Sequence, residues 1–285
     1  HMEQREDNRY RRRELANRDL TTALREYAPG SQVVIDGLVY RSEGVTLNWH
    51  IPANQEDVRE IQQIRHAWRC RNCGASGSSA SQESARHCDA CGSDVALGDT
   101  QEYLEPSGFA VDFYKDPDND VSRQTFVPVK TPWIHVRGHW FPLDNPALGR
   151  LRSSTDGHVF HQSRGAHGQG YVLCLECGRA EPIRLDGSSP ELADPSKPHR
   201  KLRRGREDGA VCPGSRDPWK IKVGLSLGHE ARTDVLEIQL KTDQGAWLND
   251  PTAARTLAVA LRDALAETLG VQATELGCDI KPSQS

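Results

Sequence analysis

The sequence predicts an α+β protein: a β-rich, irregular domain with a zinc ribbon insertion, a second zinc-knuckle site and a C-terminal helix packed on a small sheet. Three observations carry that expectation. Most apolar residues fall in short runs broken by Pro and Gly, a strand-and-loop pattern. Three segments have the form Cys-x-x-Cys-Gly. A single long stretch, near the C-terminus, has sustained helical periodicity. The chain has 285 residues, 36% of them hydrophobic, and a mean hydropathy of −0.67. Cores built from so polar a chain are small, and metal staples would help them hold.

His1-Met2 reads as the scar of a removed tag, and residues 1–14 as that scar followed by a frayed, charged start. A helix follows, with Leu15, Leu20, Ala23 and Leu24 at helical spacing and Pro29-Gly30 to end it. Val33 to Ile35, Asp36-Gly37 and Leu38 to Tyr40 read as a tight hairpin, because Asp-Gly tolerates the positive φ of a type I′ turn. Val45 to Trp49 is expected as a third short strand. Glu56 to Trp68 is amphipathic, with Val58, Ile61, Ile64 and Trp68 on one stripe. Residues 15–68 thus form a helix plus small β unit, and 69–97 the ribbon. Between its cysteine pairs, Gly74 to Ser84 is a Gly/Ser/Ala tract expected as a flexible tip.

From Tyr103 to Trp140 the pattern again predicts short strands, and 185–218 a polar loop region. Trp219 to Val223 and Asp234 to Leu240 read as two strands, the second with Leu236, Ile238 and Leu240 alternating against Glu237 and Gln239. The last helix is the clearest element. Asp250 suits the N-cap, Pro251 the first turn and Gly270 the C-cap. Leu257, Leu261, Leu265 and Leu269 line one face with Ala254 and Ala258, which periodicity assigns to a core.

The cysteines carry the chemistry. Cys70 and Cys73 precede Cys88 and Cys91 by a spacer of fourteen residues. Two residues between cysteines let one turn present both thiolates, and two such knuckles supply the four soft ligands of a tetrahedral zinc. A set of four leaves no position for a metal-bound water, so the role is structural. A third knuckle holds Cys174 and Cys177, with Cys212 as its natural third ligand. The fourth is His199 or Cys278; His199 is preferred because it lies between the knuckle and Cys212. Two Zn²⁺ per chain are expected, in a reducing, cytoplasmic setting.

Other motifs fail for stated reasons. Gly224, Ser226 and Gly228 match G-x-S-x-G but are followed by a strand pattern instead of a helix. His229-Glu230 lacks the second histidine of HExxH. No Gly-Lys pair offers a phosphate-binding loop, and no apolar run is long enough to span a membrane. His158, His161 and His167 cluster in a loop-like stretch and define a metallohydrolase alternative. The net charge of −4 excludes a uniformly basic surface. Locally, however, Lys197, Arg200, Lys201, Arg203, Arg204 and Arg206 form a basic run that reads equally as a solvated loop or a DNA phosphate contact. Trp49, Trp68, Trp133, Trp140 and Trp219 could stack on bases, although core packing is the commoner use of isolated tryptophans.

Four stretches together carry a family resemblance. They are Leu24 to Tyr40, Gly108 to Asp112, Gly170 to Ala180 with His199 and Cys212-Pro213-Gly214, and Leu227 to Leu236. The chain resembles the MrfA-like zinc-binding domain family, a module found behind DEAD/DEAH-box helicase cores and as a stand-alone subunit. The resemblance runs from about Leu24 to Cys278 and marks 98–285 as that domain. It implies a cysteine-held zinc at Cys174, Cys177 and Cys212, and a helicase partner or fused helicase core. It also implies DNA repair or DISARM-type anti-phage defence as the setting. The chain holds no motor, so it is expected to be non-catalytic. It stops soon after the leucine-rich helix, where such proteins would continue, so a fragment of a longer protein is expected.

Overall fold

The structure is a computed structural model that describes residues 18–47, 64–80, 87–94, 99–122, 124–203 and 211–281. The expectations for the frayed start, Leu15, residues 48–63 and Arg204 and Arg206 lie outside them. Helix α1 (Leu20–Glu26) starts where the Asp19 side chain accepts a hydrogen bond from the Thr22 amide at 2.9 Å. Strands β1 (Gln32–Ile35) and β2 (Leu38–Val45) form the expected hairpin. Its turn takes φ of 53° at Asp36 and 76° at Gly37, the left-handed pair of a type I′ turn. Of the third strand expected over Val45 to Trp49, Val45 is the last residue of β2, Thr46 and Leu47 are not strand, and the rest lies outside the described residues.

β3 (Arg65–Arg69) corrects the helical stripe ending at Trp68. It is a strand because it pairs with β4 (Ser76–Ser79) on one side and β5 (Asp99–Leu104) on the other. The first part of the tract expected as a flexible tip is therefore the edge strand β4. Its glycine has a use: a Cβ on Gly77 would press into the indole of Trp68. β6 (Phe109–Val111) joins β2, giving a three-stranded sheet in the order β1-β2-β6.

The larger sheet contains β7 (Trp133–His135), β8 (Phe141–Pro142), β9 (Gly149–Ser163), β10 (Tyr171–Cys174), β11 (Ala180–Pro182) and β12 (Ile221–Leu240). The order is β11-β10-β12-β5-β3-β4, with β9 also on β12 and carrying β7 and β8. β12 is the spine. Its first residues pair with β10, Ser226 and Leu227 run parallel to β5, and Leu227 to Leu240 pair with β9. One 20-residue strand thus replaces the two predicted ones. Gly228 lies inside it because a Cβ there would strike the rings of Phe160 and Tyr103 at 2.7 and 2.8 Å. The G-x-S-x-G segment is continuous strand with no following helix.

The main core gathers Leu24, Val45, Ile64, Leu104, Tyr171, Leu173, Leu175, Leu225 and Leu227. Each of the large side chains contributes about 1.5–3 kcal/mol by leaving water. A second cluster packs Tyr103 edge-on to Phe160 at 4.8 Å, with Trp133 at 5.3 Å and Ala67 beneath.

Helix α2 (Pro251–Leu269) has the predicted ends: Asp250 accepts from the Thr252 amide, and Gly270 takes φ 68°. Its leucines do not enter a core. Leu257, Leu261, Leu265 and Leu269 are 39%, 43%, 39% and 59% exposed, and Ala266 is the residue turned inward. The expected packing of this helix on a small sheet through its leucine face is therefore corrected. The chain after α2 is pinned instead, by Arg69 to Asp279 at 3.3 Å and Lys281 to Glu237 at 2.8 Å. No helix among the described residues is long and apolar enough to cross a membrane.

Candidate metal centres

The three Cys-x-x-Cys-Gly segments fold the same way. In each, the glycine amide donates to the first cysteine's carbonyl: Gly74 to Cys70 at 2.9 Å, Gly92 to Cys88 at 2.7 Å, Gly178 to Cys174 at 2.8 Å. The next residue's carbonyl accepts from the same cysteine's amide, at 2.7 Å for Ala75, 2.8 Å for Ser93 and 2.9 Å for Arg179. Closing that loop requires a left-handed residue, and the three glycines take φ of 69°, 72° and 80°. Gly178 is fixed twice over, because a Cβ there would also collide with the Val45 carbonyl.

The ligand atoms of Cys70, Cys73, Cys88 and Cys91 all lie within 4.8 Å of one another. Cys70 Sγ is 3.7 Å from Cys91 Sγ, and Cys73 Sγ is 3.5 Å from Cys88 Sγ. Metal–sulfur bonds of about 2.3 Å in a tetrahedron put neighbouring sulfurs about 3.8 Å apart, so the spacing fits one ion. Trp68 and Ala75 pack against the four sulfurs. The Ser93 hydroxyl lies 3.1 Å from Cys70 Sγ and 2.9 Å from Cys91 Sγ. Its hydrogen bond is the main reason the Cys91 thiol is drawn down to about 6.

The second group brings together Cys174, Cys177, His199 and Cys212, again within 4.8 Å. Cys174 Sγ is 3.8 Å from Cys212 Sγ, and Cys177 Sγ is 3.4 Å from His199 Nε2. Sulfur and nitrogen on one tetrahedral ion would stand about 3.5 Å apart. Cys174 ends the buried strand β10. His199 and Cys212 meet because the Cys212 amide donates to the His199 carbonyl at 2.9 Å, beside an antiparallel bridge from Arg200 to Val211. That clamp closes the polar loop and selects His199; Cys278 is not among the gathered ligands. Hydrogen bonds from Cys174 and Cys177 draw the Cys212 thiol far down, while its contacts with Cys174 and Cys212 push Cys177 up. The sulfurs compete to carry charge, a conflict that one divalent cation would resolve.

Sequence reasoning missed the charge network beneath this centre. The buried Arg179 guanidinium holds Glu43 at 3.0 Å and Asp112 at 2.7 Å, and its Nε donates to the Arg200 carbonyl at 3.1 Å. It thereby ties the knuckle to β2, to the residue after β6 and to the His199 loop. Burial would raise the Asp112 carboxyl, but the hydrogen bond from Arg179 holds it below its ordinary value. The available signal was an arginine directly after a knuckle glycine, with an acidic residue at the end of an apolar triplet.

The other candidate groups disperse. His158 and His161 belong to strand β9 and not to a loop, and with His167 they form no metal-ligand group among the described residues. His158 instead lies 3.0 Å from Glu230, which also accepts from Ser78. The His158 contact, ahead of the Ser78 bond, holds the Glu230 carboxyl at about 2. A carboxyl depressed on folding stabilises above its unfolded value, about 4.3, and loses that contribution as pH falls toward its folded value. Glu230→Gln should therefore cost about 1–3 kcal/mol at pH 7, with the difference from wild type shrinking between about pH 4 and pH 2. Denaturant midpoints across that range check it; equal midpoints at pH 7 would refute it.

In the basic run, Lys197 pairs with Glu191 at 2.7 Å, Leu202 is buried, and the Leu202 carbonyl accepts from Phe113. The described part is thus fastened to the fold at Leu202. Of the tryptophans, Trp68 and Trp133 are buried in the clusters above, and Trp219 is 78% exposed.

No family model matches the chain, and no solved structure matches it. The chain is similar to Druantia protein DruE of Escherichia coli (strain UMEA 4076-1), at 25% identity over 232 residues. That similarity covers 78% of this chain and 12% of DruE, so the chain spans about an eighth of that relative's length.

Proposed function

We propose that this chain is a non-catalytic, zinc-stabilised module of an anti-phage defence protein that assists a DEAD/DEAH-type helicase partner, or fused helicase core, on DNA in the cytoplasm. The observation that carries the structural role is the closure of both ligand groups: four side chains each, seven cysteines and one histidine in all. Thiolate-rich tetrahedral sets favour zinc over the oxygen-seeking cations, and a filled set leaves no position for a substrate or a reactive water. The defence setting is supported by the similarity to Druantia protein DruE. The helicase and DNA parts rest on the resemblance of the cysteine segments to helicase-associated modules and on the basic run; DNA repair is the other setting that resemblance allows.

Elemental analysis of the purified chain should find close to two zincs, and titration of the metal-stripped chain should release protons as the thiols ionise. Affinity should weaken as pH falls. A single zinc would remove one centre from the proposal. For DNA, gel shifts against rising salt should show a steep loss of affinity, shallower once Arg203 and Arg204 are neutralised. No shift at low salt removes the DNA contact. That outcome favours a second reading, a protein-interaction scaffold, which the exposed leucine face of α2 supports.

A further inference from the structure

We propose that Ser93 is the positioning residue of the first metal centre, clasping one sulfur from each knuckle and setting how firmly that centre keeps its ion. The inference rests on the zinc reading proposed above and assigns a role within it. The Ser93 hydroxyl, just after the second knuckle, lies 3.1 Å from Cys70 Sγ in the first knuckle and 2.9 Å from Cys91 Sγ in the second. Asn72, between the two cysteines of the first knuckle, reaches the other way. Its side-chain amide donates to Cys91 Sγ at 3.6 Å. The two knuckles are therefore cross-linked through their sulfurs by one polar side chain from each.

The knuckle loop by itself does not produce this contact. Ala75, Ser93 and Arg179 each follow a knuckle glycine, and the carbonyl of each accepts from the first cysteine's amide. The shared loop thus brings a side chain to the same place three times. Ala75 is buried and has no polar side-chain atom to offer. Arg179 sends its guanidinium away to Glu43 and Asp112. Of the three, Ser93 lays a hydroxyl on the gathered sulfurs.

Thiolates on all sides of one divalent cation carry surplus negative charge, and hydrogen bonds to sulfur spread it. A serine hydroxyl has a single proton, so it cannot serve Cys70 and Cys91 fully at once. The Asn72 amide already covers Cys91, which leaves the Ser93 proton for Cys70. Cys70 is the buried sulfur of that pair. A thiolate shut away from water depends on such donors to hold its charge. The second centre has His199 in place of a fourth thiolate and carries less surplus charge. Loss of the hydroxyl should therefore be felt at the first centre alone.

The test follows zinc loss from the full metal-loaded chain to a chelator of known affinity, and the absorption of the same chain refilled with cobalt(II). Cys73→Ser, which lacks a ligand of the first centre, identifies the ion of the second. Ser93→Ala should take up as much zinc as wild type at saturation but release the first centre's ion roughly ten- to hundred-fold more readily. Ser93→Thr keeps a hydroxyl and should recover most of that affinity. In the cobalt form, Ser93→Ala should move the sulfur-to-cobalt charge-transfer band to lower energy, because a sulfur relieved of a hydrogen bond gives up electron density more easily. A packing loss that leaves the ligands in place does not move that band. Added to Cys73→Ser, Ser93→Ala should change nothing at the remaining ion. Zinc affinity of Ser93→Ala within about two-fold of wild type overturns the role of Ser93 and leaves the zinc reading standing. So does a Ser93→Thr chain as weak as Ser93→Ala with an unmoved cobalt band. A wild-type chain that holds no ion at the first centre overturns the zinc reading there as well.

Discussion

Cys174→Ser should remove one of the two ions proposed for the chain and leave a chain that no longer folds cooperatively at 37 °C. Cys174 closes β10, whose Tyr171, Val172 and Leu173 are fully buried and whose strand pairs with the spine β12. The centre therefore joins the middle of the large sheet to the His199–Cys212 clamp. Structural zinc supplies about 10–16 kcal/mol of apparent binding energy in small metal-folded domains, against a total stability of about 5–15 kcal/mol for an ordinary protein. Losing even part of it, about 5 kcal/mol or more, consumes most of the margin. Cys73→Ser is the control. Its centre clips the β3–β4 edge of the sheet, so that variant should also lose one ion but keep near-UV dichroism and most of its denaturant midpoint. Equal stability of Cys174→Ser and wild type, with two ions retained, would refute the placement of the load-carrying centre at Cys174.

Arg179→Met should cost about 3–5 kcal/mol although it touches no ligand, because it leaves two buried carboxylates facing each other without their cation. Glu43 and Asp112 are each about nine-tenths buried at the side chain. Lys115 remains on Glu43 at 2.5 Å but is itself mostly in solvent, so it compensates less than the buried guanidinium does. Adding Glu43→Gln and Asp112→Asn should recover a large part of the loss, since the uncompensated charge then disappears. A second readout separates this role from general packing. Because Arg179 also holds the Arg200 carbonyl, the single variant should bind the ion at the second centre more weakly, with the first centre unchanged. A stability within about 0.5 kcal/mol of wild type would show that the network contributes nothing.

Local chemistry was readable from the residues alone wherever a short motif dictates its own backbone. Asp36-Gly37 made its turn, Asp250 and Gly270 bounded their helix, and each Cys-x-x-Cys-Gly made the same hydrogen-bonded loop. Both groups of four ligands were nameable because metal-binding side chains have few other uses at that spacing, and His199 was preferred for its place in the loop. Only the tertiary structure decided what depended on distant partners. Ser76 to Ser79 became a strand because β3 lies beside it, and Ile221 to Leu240 became one strand because β10, β5 and β9 each cover a different part. The leucine stripe of α2 reads as a core face in any periodicity, yet the fold presents it to solvent. The Arg179 network was invisible for the same reason: its carboxylate partners lie 136 and 67 residues away, and no local spacing encodes them. The three knuckle loops and their ligand types follow from the local residues alone, since a backbone turn and a thiolate are local properties. Which sheet each centre braces, which charges it sits on and which faces remain open were set by long-range pairing, where the energy lies in contacts between residues far apart along the chain.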